Sequence, residues 1–156
     1  SKSYILVYAL AGKEKQMSAA RQVQKKLNFP IVLISGNDII SFSFSNKVVS
    51  DAGPMEFVKL FANSAFVVTD SFHGTAFSII FNKPFFSTIV LPKVASRITS
   101  LLKRLSLEKR ILSSEHELTA EDLEIDYRKP NEQLRKEKEK SIRFLDQIVT
   151  GGGNEN

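Results

Sequence analysis

Residues 53–85 read GPMEFVKLFANSAFVVTDSFHGTAFSIIFNKPF, and the order of elements in this stretch decides the fold. Gly53-Pro54 is a helix start, with proline at the first helical position, where its missing N–H costs nothing. Phe57, Val58 and Phe61 carry that helix to about Ala62. Phe66 to Thr69 is short and apolar on both sides, the pattern of a strand buried in a parallel sheet. Asp70-Ser71 lies at its carboxyl end. A helix from about Phe72 to Phe81 follows, with His73, Ala76, Phe77, Ile80 and Phe81 on one face. Asn82-Lys83-Pro84 ends it, and Phe85 to Val90 is the next strand. Strands alternating with amphipathic helices specify an α/β domain.

The flanks extend the same alternation. Tyr4 to Leu10 reads as a buried strand, Lys13 to Leu27 as a helix with Met17, Ala20, Val23 and Leu27 at helical spacing, and Ile31 to Ser35 as a second strand. Gly36-Asn37-Asp38 is a turn, and Ile39 to Phe44 fits strand or loop. Toward the other end, Arg97 to Leu105 is a short amphipathic helix burying Ile98, Leu101, Leu102 and Leu105. A helical turn is expected between Thr119 and Asp122. Asn131 to Val149 is a long charged helix with Leu134, Ile142, Leu145 and Val149 on its inner side. The expected fold is a Rossmann-like three-layer domain with a mainly parallel sheet over residues 1–150, and residues 151–156 (GGGNEN) form a flexible tail.

Composition limits the chemistry. With no cysteine, thiolate catalysis, disulfides and the common zinc frameworks are excluded, and two histidines are too few for a histidine-rich metal site. No apolar run approaches the ~20 residues a membrane-spanning helix needs. No basic segment followed by an apolar core opens the chain, so no secretory leader is expected and a cytoplasmic location is. The net charge of +5 suits an anionic ligand. Between Arg128 and Arg143, however, the cations alternate with Glu132, Glu137 and Glu139, as on a solvated helix face and unlike a nucleic-acid-binding patch.

Thr69-Asp70-Ser71-Phe72-His73-Gly74-Thr75 places four polar side chains and a glycine where a buried strand becomes a helix. Ligands of parallel α/β sheets bind at the carboxyl ends of strands. A helix start adds unpaired N–H groups and the positive end of the macrodipole, which suit phosphate or carboxylate oxygens. Gly74 lets a ligand approach the backbone closely, and His73 offers a donor or a proton near neutrality. Each residue also has a purely structural reading. Asp70 or Ser71 serves as the helix N-cap, Gly74 relieves packing against the sheet, and His73 is a hydrogen-bonded core side chain.

The segment from Gly53 to Phe85 resembles the signature region of the polysaccharide pyruvyl transferase family: a Gly-Pro helix start, an apolar strand, Asp-Ser-Phe-His-Gly, and a Phe-Ser-rich helix ending before proline. The likeness runs on more loosely through Arg97 to Arg110. The resemblance implies one half of a GT-B-like enzyme, the C-terminal, donor-binding domain, which works with an N-terminal domain. It implies transfer of a pyruvate ketal from phosphoenolpyruvate to a sugar, free or on a lipid- or nucleotide-linked saccharide, without a further cofactor or metal. On that basis His73 faces the phosphate as donor or general acid. An adjacent phosphate favours its imidazolium form. Ser71, Gly74 and Thr75 cradle the same phosphate, Arg97 takes the carboxylate, and Asp70 supports the site by orienting His73 or capping the helix. Lys93 is a weaker candidate, Lys83 and Arg104 are expected in solvent, and His116 has no assigned role.

Two other readings compete. A nucleotide-sugar glycosyltransferase of the same architecture calls for an acid at the ribose; no glutamate is well placed after the key strand, and Asp38 lies elsewhere. A non-catalytic carbohydrate-binding module calls for aromatic platforms, yet the chain has no tryptophan and three tyrosines. Its twelve phenylalanines mostly fall on core faces.

Overall fold

The computed structural model describes residues 3–35, 38–42, 46–50, 53–113 and 116–151. It is an α/β domain of three layers. The elements are β1 (Ile5–Ala9), α1 (Lys13–Leu27), β2 (Ile31–Ser35), β3 (Asp38–Phe42), β4 (Asn46–Ser50), α2 (Pro54–Asn63), β5 (Phe66–Thr69), α3 (Phe72–Ile80), β6 (Phe85–Ser87), α4 (Pro92–Arg104) and α5 (Arg128–Gly151). The sheet order is β4-β3-β2-β1-β5-β6. The four strands β2, β1, β5 and β6 are parallel, and β3 and β4 extend the sheet antiparallel beside β2.

The two-residue period of β1 explains the layers. Ile5, Val7 and Ala9 point into one core with Met17, Ala19, Ala20 and Val23 of α1. Leu6 points to the other side, into a core shared with Phe61 of α2, Ile79 of α3, and Ile98 and Leu102 of α4. Four phenylalanines, Phe61, Phe66, Phe85 and Phe86, are fully buried. Tyr8, Phe57, Phe61 and Phe77 form an edge-to-face and tilted cluster beneath α2 and α3, with ring centroids as close as 5.0 Å for Tyr8 and Phe57.

The chain turns back on opposite faces on either side of β1 and β5. From β1 it passes through α1 to β2 on one side; from β5 it passes through α3 to β6 on the other. The carboxyl ends of these neighbouring strands therefore flank a topological switch point, the crevice where open α/β sheets take ligands.

Several elements depart from the periodic pattern. In α3 the face against the sheet is Gly74, Thr75, Ser78 and Ile79, while His73 and Ile80 are exposed. The stripe through His73 and Ile80 is thus not the inner one. Small side chains win because the helix lies close on β5: a Cβ at Gly74 would sit 3.0 Å from both Cβ and Cγ2 of Thr69 and would collide with its hydroxyl. The buried hydroxyls are all satisfied, since Thr75 Oγ1 bonds the Ser71 carbonyl at 2.9 Å and Ser87 Oγ at 2.7 Å, and Ser78 Oγ donates to the Gly74 carbonyl at 2.7 Å.

Helix α4 begins at Pro92, five residues before Arg97, with proline in its first turn. Arg97 is therefore mid-helix and does not oppose a helix dipole from its N-terminus. Strand β6 ends at Ser87, short of Val90. Asp38 opens β3, which resolves residues 39–42 as strand; residues 43–44 lie outside the described residues, as do 36–37 of the turn and 152–156 of the expected tail. Strand β4 has no counterpart in the sequence reading. The turn expected near Thr119 is present, with Asp122 Oδ2 accepting from the Thr119 N–H at 2.8 Å and from His116 at 2.9 Å.

Helix α5 corrects a further expectation. Leu134 packs into the second core, but Ile142, Leu145 and Val149 are 48%, 59% and 78% exposed, and Phe144 and Ile148 are also exposed. The helix runs past the body of the domain, so the residues spaced for an inner face meet no described surface.

Two outcomes follow for stability. Gly74→Ala is expected to cost about 1–3 kcal/mol in urea unfolding through overpacking against Thr69. Ending the chain after Lys140 is expected to move the unfolding free energy by less than about 0.5 kcal/mol, because the removed helix end buries nothing in the core.

Candidate functional site at the switch point

The crevice between β1 and β5 is occupied on one side by the protein itself. Asp70, only 6% exposed, extends from the end of β5 to the loop after β1. Its Oδ1 accepts from the Leu10 N–H at 2.7 Å, and its Oδ2 accepts from the N–H groups of Ala11 and Gly12 at 2.9 Å each. Gly12 is the N-cap residue of α1. An internal carboxylate thus fills the backbone nest that leads into α1, where doubly wound folds often hold a phosphate. Asp70 neither caps α3 nor orients His73; it ties the two central strands together at their carboxyl ends.

That leaves the start of α3. Ser71 is the N-cap, its Oγ accepting from the Gly74 N–H at 3.3 Å. The Ser71 N–H donates to Thr69 Oγ1 at 3.1 Å, and the Thr75 N–H donates to the Ser71 carbonyl at 3.0 Å. The N–H groups of Phe72 and His73 have no acceptor among the described residues. They are the open donors at the positive end of the helix.

His73 is exposed and makes no side-chain hydrogen bond to a described residue, so it is not a core histidine. Its ring lies 6.0 Å from that of Phe72, edge to face. On Phe72 also rests Arg97, with its guanidinium carbon 4.2 Å from the ring centroid. Arg97 is exposed, and among the described residues it joins no ion pair. The structure therefore brings His73 and Arg97 to a common aromatic support beside the open end of α3.

The other expected site residues divide differently. Ser71, Gly74 and Thr75 are buried, and the hydroxyls of Ser71 and Thr75 are engaged in holding the first turn of α3. The glycine at 74 is explained by its packing on Thr69. Lys93 is exposed in the first turn of α4, and Arg104 faces Glu137 at 3.9 Å. Arg110, at the end of the looser likeness, holds the carbonyls of Asp122 and Glu124 at 2.6 and 2.7 Å. Burial draws its pKa below the ordinary value. A cavity of about 840 Å³ along the outer side of α1 lies across the sheet from α3, between Lys13 and Lys25, and shares no residue with this site.

Phe72 is the residue that sequence reasoning left out. Its position after the N-cap was visible, but its role depends on Arg97, twenty-five positions later, reaching the same spot. On the geometry of the nest, Asp70→Asn is expected to cost about 2–3 kcal/mol in urea unfolding, because the amide replaces one acceptor oxygen by a donor facing other donors. A change below about 0.5 kcal/mol would mean that the loop after β1 holds its shape without the carboxylate.

No curated protein matches the chain. A family model described as polysaccharide pyruvyl transferase matches residues 1–89, more than half of the 156 residues. The matched span includes the first strand–helix–strand unit and the whole Asp70–Thr75 turn, and it stops before Arg97. The chain belongs to the polysaccharide pyruvyl transferase family.

Proposed function

We propose that this domain binds phosphoenolpyruvate at the start of α3 for transfer of a pyruvate ketal to a saccharide. Family membership indicates a transferase of polysaccharide biosynthesis that acts between a donor and a sugar acceptor. Among the described residues no helix is long and apolar enough to cross a membrane. The observation that carries the reading is the pair of exposed side chains His73 and Arg97, unpaired among the described residues, that meet Phe72 beside the open N–H groups of Phe72 and His73.

Phosphoenolpyruvate carries a phosphate and a carboxylate on one small carbon skeleton. The helix start and His73 suit the phosphate, and the guanidinium of Arg97 matches a carboxylate in bidentate fashion. In the reaction a proton is added to the methylene carbon, and the adjacent carbon gains oxocarbenium character. One sugar hydroxyl adds there and loses its proton. Phosphate then departs with the electrons of its C–O bond, and a second hydroxyl closes the ketal, its proton passing to the released phosphate. His73 is the group able to hold the departing phosphate or to supply the proton. Ser71, Gly74 and Thr75 contribute by shaping the turn that presents the N–H donors, and Asp70 by fixing the neighbouring loop. The acceptor, carried on a lipid or nucleotide, and the remaining contacts belong to an N-terminal domain that faces this one in a GT-B-like arrangement. A cytoplasmic setting agrees with the metabolic origin of the donor.

A nucleotide-sugar donor is the second reading, and it is disfavoured by Asp70. The nest leading into α1 is already filled by a carboxylate, which would repel a diphosphate there.

Amide chemical shifts recorded during titration with phosphoenolpyruvate test the proposal. Saturable changes at residues 71–75 and at Arg97 are expected, with His73→Ala weakening binding about tenfold or more through loss of a charge-assisted bond. Changes at the same residues with a nucleotide sugar, and none with phosphoenolpyruvate, would replace this reading by the glycosyltransferase one.

A further inference from the structure

Phe72 lies half-buried against His73 and Arg97, and its ring face is turned to Arg97. A carboxylate paired with an arginine occupies its N–H fork and offsets its charge. Arg97 has no such partner among the described residues. Its guanidinium carbon instead lies 4.2 Å from the centroid of Phe72. A ring face attracts the cation through its quadrupole but accepts no ordinary hydrogen bond. The guanidinium is thereby held while its N–H donors make no hydrogen bond and its charge no ion pair with a described residue.

Phe72 is itself anchored. It occupies the first position of α3, immediately after the Ser71 N-cap, and it packs against the core shared by α2, α3 and α4. The ring therefore transmits the position of the helix start to a side chain on α4. One aromatic side chain thus lies in contact with both the start of α3 and the guanidinium of Arg97.

Resting on the phosphoenolpyruvate reading above, we propose that Phe72 is a positioning residue that selects a donor bearing a carboxylate at a set distance from its phosphate. Removing the ring leaves the α3 N–H groups and His73 in place, so binding of a lone phosphate is unaffected. What is lost is the fixed placement of the Arg97 fork, and with it the preference for phosphoenolpyruvate over inorganic phosphate.

The test compares dissociation constants for phosphoenolpyruvate and for inorganic phosphate, by amide shift titration, in the unaltered chain and in Phe72→Leu, Phe72→Tyr, Arg97→Ala and Phe72→Leu/Arg97→Ala. Phe72→Leu is expected to weaken phosphoenolpyruvate about five- to tenfold and phosphate less than twofold, whereas Phe72→Tyr retains both. With Arg97 already replaced by alanine, Phe72→Leu has no further effect on phosphoenolpyruvate. Equal weakening of both ligands, or an undiminished Phe72→Leu effect in the Arg97→Ala background, would overturn the proposal and reduce Phe72 to a packing residue. Should Phe72→Leu fail to fold, Arg97→Lys carries the same prediction, because an ammonium at that position keeps the charge without the fork. If Phe72→Leu changes nothing while His73→Ala and Arg97→Ala both weaken phosphoenolpyruvate, this inference fails and the donor reading stands. If none of the three matters, the donor reading itself fails.

Discussion

Three successive backbone N–H groups leave β1 directed into the crevice between the halves of the sheet, and one carboxylate from β5 receives them all. The rest of the site depends on this closure. In a doubly wound domain the loop after the first strand normally stays open to receive an anion from outside. Here Asp70 supplies the negative charge from within. The loop is tied to β5 by these three bonds, and a negative charge already faces the positive end of α1. The adjacent helix start, that of α3, is the one at the switch point whose Phe72 and His73 N–H groups meet no acceptor among the described residues.

The approach of α3 to the sheet follows from the same geometry. Its first turn lies so close to β5 that only glycine fits over Thr69, and the neighbouring positions are filled by hydroxyls instead of hydrocarbon. Thr75, Ser78 and Ser87 hydrogen-bond internally, so this polar seam is buried without unsatisfied hydroxyl groups. The seam holds the first turn of the helix firmly, while the larger phenylalanines on its flanks pack sideways toward α2. Precision at the start of α3 thus comes from small, hydrogen-bonded residues, and bulk hydrophobic burial is handled elsewhere in the helix layer.

Much of this was legible in the sequence wherever a local rule was strong. Proline after glycine at residue 54, the uniform apolarity of residues 66–69 and the periodicity of residues 13–27 gave elements with the observed bounds or within a residue of them. The inner face of α3 was misread because hydrophobicity was taken as the mark of burial, whereas close helix–strand contact selects for size. The beginning of α4 was missed although Leu91-Pro92 carries the same proline signal as α2. Asp70 was recognised as a supporting residue, but its partners are backbone groups some sixty positions away, and no local pattern encodes them. The meeting of Phe72 with Arg97 is of the same long-range kind.

The outer half of α5 has a different relation to the fold. Its helical form rests on backbone bonds and on local side-chain bonds such as those of Ser141 Oγ to the Glu137 carbonyl and Thr150 Oγ1 to the Asp146 carbonyl, one turn apart, because its large apolar side chains are exposed and touch no core. Helix held by such local terms alone lies near the balance point of the helix–coil transition. Its opening is therefore uncoupled from unfolding of the domain, and the amide protons beyond Lys140 exchange with solvent through local fraying while those of β1 and β5 wait for global unfolding.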